Sequence, residues 1–358
     1  MQHSSDATHE PGVAPALSVS GGRQERIAWL DIARGLSILL VVIFHSSIEM
    51  NYLEALHPEY WKINNFFSNV RMPLFFAVSG ILGSKIVKMD WPILIEKRIA
   101  VLIYIYLIWS IITIFLKFYI NGELQYLEFI KIPIIPSSIL WFIWSLGIYF
   151  LVTRLAGEKY KYHLMFISLI IYISVDSGYF NYQNQEHLKS LSYLFFFLLG
   201  VNFSKILLSI ANYWKIAFLV SSLGYLIFFL ALRWDYIPNG TGLALSLMGL
   251  VAGLSGSILL VHIPFVSALL AHLGRNTLTI YVAHNQFLKM FAAFNAGIVT
   301  LPGFPVWGTP VISGIAIILA LLLRSALEAV GGGWLYRLPH GIVDWLRSRT
   351  DAKPRQSI

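Results

Sequence analysis

RIAWLDIARGLSILLVVIFHSSIEM, residues 26–50, is apolar enough to cross a bilayer yet carries Asp31, Arg34, His45 and Glu49. At about 100° per residue, the step from Arg34 to His45 closes on about three turns of α-helix, so both side chains leave the helix along one stripe. Between them, Leu36 to Phe44 is apolar apart from Ser37. A rise of about 1.5 Å per residue sets the imidazole about 16 Å deeper than the guanidinium. With Arg34 at the membrane surface, His45 lies near the midplane, where an ionisable group is costly and serves a polar cavity or relay. The competing reading is a histidine that only hydrogen-bonds a neighbouring helix. The register with Arg34, and Glu49 one turn further on, favours function.

Composition agrees. Hydrophobic residues make up 57% of 358, aromatics 15% and charged residues 12%. A soluble domain of this length cannot cover so much apolar surface, so the expected fold is all-α, a polytopic membrane protein of about ten transmembrane helices. Cysteine is absent, which excludes disulfides, thiolate metal sites and a cysteine nucleophile. The net charge is +8, but the basic residues sit at helix ends and form no stripe, so membrane orientation explains them and nucleic acid is not an expected partner.

The chain divides into three expected parts. Residues 1–22 are polar and rich in Pro, Gly and Ser, without the apolar core of a signal peptide, and read as a disordered tail. Residues 23–327 hold the transmembrane domain, with spans at about 26–50, 66–86, 99–120, 138–154, 163–178, 190–205, 213–233, 242–262, 273–294 and 306–323. Residues 328–358 form a C-terminal tail whose stretch WLYRLPHGIVDWLRSR, from Trp334 to Arg349, is amphipathic and suits the inner leaflet. Ten spans put both termini on one side. The clusters Lys85, Lys88, Lys97, Arg98 and Arg154, Lys159, Lys161 then assign that side to the cytoplasm by the positive-inside rule.

Three groups of residues carry candidate chemistry. Arg34, Arg98 with Lys97, and Arg275 mark inner helix ends and suit a basic mouth for a phosphorylated ligand, or else anchor helices to headgroups. Asp31, three residues before Arg34, is a partner for it, which makes a structural salt bridge the competing role. Arg71 lies just inside the second span and either snorkels to the outer interface or faces a cavity, holding a substrate oxygen or a carboxylate such as Glu49. Pro73 beside it frees a backbone carbonyl, so a locally broken helix is expected there. In LGRNTLTIYVAHNQF, Asn276, Tyr281 and His284 enter the ninth span, with Tyr281 and His284 on adjacent turns. Trp141 and Trp144 read as interfacial belt residues or as sugar-stacking platforms. No metal-ligand spacing, GxSxG or phosphate-binding glycine loop occurs.

Four stretches together resemble the acyltransferase-3 family of integral-membrane enzymes that transfer acetyl and other acyl groups to sugars. RIAWLDIARGLSILLVVIFH is similar to its opening helix, in which a basic residue, ten residues and a histidine recur, here Arg34 to His45. RMPLFFAVSGIL, WFIWSL and LGRNTLTIYVAHNQF resemble its later signatures, in the same order. The resemblance implies acyl-CoA, usually acetyl-CoA, as a co-substrate taken from the cytoplasm, with no bound cofactor and no metal. It implies His45 as the catalytic histidine, with Arg34 and the cluster at Arg98 on the acyl-CoA side. The acceptor it implies is a cell-surface or exported carbohydrate or a lipid-linked sugar, handled in the cell's inner membrane beside polysaccharide synthesis machinery.

The chemistry is coherent with that role. A sugar hydroxyl is deprotonated far above neutral pH, so a neutral imidazole takes its proton as it attacks the thioester. Glu49 would orient the ring or accept the proton, and Arg71 would steady the developing oxyanion. Direct transfer and transfer through an acyl-histidine both fit. A proton-coupled transporter or flippase of a sugar-containing substrate is the rival class, with His45 and Glu49 as the relay.

Overall fold

The computed structural model describes residues 27–123, 126–134, 136, 139–179, 185–233, 241–294 and 296–351. The predicted tail at 1–22, the end of the C-terminal segment at 352–358 and residues 180–184 of the polar turn lie outside the described residues. Among the described residues the chain is all-helical, with no strand.

The principal helices are α1 (Ala28–Tyr52), α2 (Pro58–Phe66), α3 (Ser68–Leu82), α4 (Ala100–Asn121), α5 (Trp141–Asp176) and α6 (Gln185–Asn202). They continue with α7 (Trp214–Arg233), α8 (Gly242–Val261), α9 (Pro264–Arg275), α10 (Thr277–Phe294), α11 (Phe304–Ala329) and α12 (His340–Asp351). The ten predicted spans overlap helices, the fourth and fifth sharing α5 and the ninth straddling α9 and α10. Among the described residues five stretches are long and apolar enough to cross a membrane: Ala28–Tyr52, Trp91–Asn121, Ser204–Leu232, Gly242–Val261 and Phe304–Ala329. The remainder fall short for physical reasons. Helix α3 and the apolar part of α6, Ser190–Asn202, are short, and α10 carries His284, Asn285, Gln286 and Lys289. Helix α5 is interrupted at Gly157, whose φ of 57° a side chain would strain, so the fourth and fifth predicted spans are its two arms.

Helix α1 is the central pillar, packed against α3, α8, α9, α10 and α11. Its small residues set how close those neighbours come. A Cβ on Gly35 would lie 1.9 Å from the Leu270 carbonyl oxygen, and one on Gly274 would lie 1.8 Å from that of Asp31, so α1 and α9 touch backbone to backbone. Helices α3 and α6 meet in the same way through Gly80 and Gly200. Small residues of this kind let membrane helices gain dispersion contact where lipid leaves no hydrophobic drive.

Two expectations need correction. Pro73 does not break its helix: α3 runs unbroken from Ser68 to Leu82. The ninth span does not begin at Leu273. The chain instead forms a separate amphipathic helix, α9, opened by Pro264, and turns at Asn276 before α10 starts. Leu270 and Leu273 of α9 are buried on the side packed against α1, while Leu269 is exposed, and this apolar content makes the stretch look like part of a span in sequence.

Candidate active site

Three of the basic candidates, though not Arg275, share one cavity of about 240 Å³. Arg34 from α1 and Lys97 and Arg98 from the turn before α4 line it together. That turn, Ile95–Ile99, is a π-helix, a local widening of the helix often found where a helix presents functional side chains. Arg98 also lies over the Phe150 ring, its guanidinium carbon 5.9 Å from the centroid. Arg34 Nη1 is 3.7 Å from Asp31 Oδ1, and its side chain also lines the cavity.

Beyond the cations the walls become apolar, and Phe75, Phe142 and Tyr281 also line the space. Phe75 belongs to the PLFF stretch, Phe142 to the tryptophan-rich stretch and Tyr281 to α10, so with Arg34 from the opening helix all four family-like segments meet here. Tyr281 is fixed by both of its hydroxyl's bonding roles. It donates to the Ile139 carbonyl and accepts the Phe142 backbone N–H at 3.2 Å, pinning the start of α5.

One turn beyond Tyr281, His284 is fully buried. Its Nδ1 lies 3.0 Å from the Ile280 carbonyl and 2.9 Å from that of Tyr281. Carbonyls only accept, so in the neutral ring the proton sits on Nδ1 and Nε2 keeps its lone pair. That Nε2 finds no hydrogen-bond partner among the described residues. The ring packs against His45, with centroids 5.3 Å apart and planes at 51°. Neither imidazole lines the cavity, which closes on Tyr281 and its aromatic neighbours.

The other candidates spread out. Glu49 is half-buried and within electrostatic reach of Lys289 of α10. Arg71 is buried, so it does not snorkel to the surface. Its guanidinium lies 4.1 Å from the Phe44 centroid and donates to the Leu40 carbonyl at 3.4 Å, which sets it on the face of α1 next to that of His45. Trp141 packs against Phe76 and Tyr193 rather than lining the cavity. Asn276 serves the turn between α9 and α10, donating to the His272 carbonyl at 3.0 Å and accepting from Arg324 Nη1 at 3.3 Å. Arg275 is exposed at the end of α9 and does not line the cavity.

Residues 27–325 match the acyltransferase domain that defines the acyltransferase-3 family. The chain belongs to that family. No curated protein and no solved structure matches it. In this member of the acyltransferase-3 family a cavity lined by three cations lies one helical turn from the contact between His284 and His45.

Proposed function

We propose that this acyltransferase is an O-acyltransferase of the inner membrane that moves an acyl group, acetyl in the first instance, from cytoplasmic acyl-CoA to a carbohydrate hydroxyl. In this reading all ten predicted spans cross the bilayer and both termini are cytoplasmic. The observation that carries it is the run from Arg34, Lys97 and Arg98 along the cavity to Tyr281, then to His284 and its contact with His45. Three cations at one end suit the phosphates of the donor, and the apolar walls suit its thioester arm.

His45 acts as the general base. It takes the acceptor hydroxyl proton as the oxygen attacks the thioester carbonyl. The new C–O bond forms, the C–S bond breaks, and the departing thiolate of CoA takes up a proton. His284 acts as a positioning residue: its tautomer is held by two carbonyls, and it braces the His45 ring from one side. Asp31 holds Arg34 at the mouth, and Glu49 with Lys289 supplies a polar exit on the far side of His45.

The test uses membranes containing the full chain and acetyl-CoA labelled in the acetyl group. Label should appear in glycan with the wild-type chain and disappear with His45→Ala at equal protein level. Label transferred normally by His45→Ala would end this reading. A chain that moves sugar but transfers no label would belong to the transporter class instead.

A further inference from the structure

A second cavity, about 390 Å³, lies between α1, α3, α7 and α8 and takes no part in the reaction described above. Its walls include Leu36 and Leu40 of α1, Val70 of α3, Tyr225 of α7 and Gly253 and Gly256 of α8. The glycines make the room, since a Cβ on Gly253 would meet Leu74 at 2.8 Å and one on Gly256 would meet Phe218 at 3.2 Å. Helix α7 separates the space from lipid, and its Leu219, Val220 and Leu223 are exposed.

Arg71 does not line this space but adjoins it, between Tyr225 of its wall and Tyr193 outside it. It follows the wall residue Val70, bonds the carbonyl of the wall residue Leu40, and lies within electrostatic reach of Tyr225. A guanidinium has five N–H donors, and this one makes a single hydrogen bond, to a carbonyl 3.4 Å away. No carboxylate of the described residues pairs with it. A buried cation without a counter-ion is costly inside a membrane, so this position asks for an anion. An apolar trough beside a lone guanidinium matches a molecule with one hydrocarbon chain and one anionic group. Phe44, under the guanidinium, has its ring 5.3 Å from that of His45.

We infer that this trough holds the chain of a lipid-linked acceptor with its phosphate against Arg71, which presents the attached sugar to His45. The inference rests on the proposed transfer reaction and narrows its acceptor to a single-chain lipid phosphate. It also moves Arg71 from the oxyanion to the acceptor.

Binding tests it without catalysis. The full chain, purified in detergent, is titrated with farnesyl phosphate and read by native mass spectrometry. Farnesol, oleate, inorganic phosphate and phosphatidylglycerol serve as comparators. Farnesyl phosphate should bind saturably, and at least about tenfold more weakly to Arg71→Gln and to Gly256→Phe. Where Gly256→Phe does not fold, Ala252→Leu fills the same trough. Equal binding to wild type and both variants overturns the inference. So does farnesol binding as well as its phosphate (an apolar groove only), oleate binding as well (a carboxylate site), or equal displacement by phosphatidylglycerol (a bulk-lipid groove). Acyl transfer by a chain that ignores farnesyl phosphate would sink this site and spare the proposed reaction. Binding without any transfer would do the reverse.

Discussion

His45 and His284 reach each other from different helices, and the Nδ1 proton of His284 is tied to the carbonyls of Ile280 and Tyr281. The second imidazole thus keeps its proton on Nδ1, and its Nε2 has no hydrogen-bond partner among the described residues. His284→Phe keeps a ring against His45 and removes that nitrogen. The expected result is a kcat lower by about tenfold to a hundredfold with the KM for acetyl-CoA unchanged. Steady-state kinetics in nanodiscs checks it, and a change in KM alone would assign His284 to donor binding.

The cationic end of the cavity should govern donor affinity. Arg34→Ala and Arg98→Gln are each expected to raise the KM for acetyl-CoA by about tenfold while kcat holds, as for loss of a charge-assisted hydrogen bond. Acetyl-dephospho-CoA, with one phosphate fewer, should lose less on mutation than acetyl-CoA does. If both donors respond alike, the cations do not bind the phosphates.

Arg347 of α12 reaches back to the π-helical turn, its Nη2 2.7 Å and its Nε 3.2 Å from Glu96 Oε1. Glu96 adjoins Lys97 and Arg98, so the C-terminal helix steadies the segment that presents both cations. The pair is solvent-accessible and screened, so Arg347→Gln should raise the acetyl-CoA KM by less than about fivefold. The charge-swapped pair Glu96→Arg with Arg347→Glu should recover it. No recovery would mean that the contact does not position the turn.

Backbone contact between α1 and α9 leaves no space for a side chain. Gly274→Leu and Gly35→Val should each cost about 1–3 kcal/mol or more by overpacking, whereas Gly314→Ala, with nothing within 4 Å of its Cβ, should be near neutral. Thermal unfolding in detergent, followed by size-exclusion chromatography, gives the comparison. A Gly274→Leu chain as stable as wild type would show that α9 packs elsewhere.

Much of this was legible in residues 26–50, because an apolar run interrupted by charges at helical spacing reports both the fold and the face that matters. Tyr281 and His284 were legible for the same reason. Which neighbour of an aromatic pair faces inward was not: Trp141 was the candidate, and Phe142 lines the cavity, because the turn pinned by Tyr281 sets the rotation of α5. Arg275 looked like a third mouth residue because its helix was read as continuous with α10. The turn at Asn276 points the two segments differently, and Lys97 and Arg98 stand at the mouth instead. Arg71 was recognisable as unusual, but the trough beside it depends on four helices distant in sequence and left no local trace.

The floor made by Phe75, Phe142 and Tyr281 has a consequence for cell energetics. A membrane that stores work as an ion gradient tolerates no standing aqueous duct from one face to the other. In the proposed reaction these rings and the pinned tyrosine would part only for the slender thioester arm on its way to His45 and would otherwise hold solvent back. Such a cell could decorate material bound for its exterior without short-circuiting its own battery.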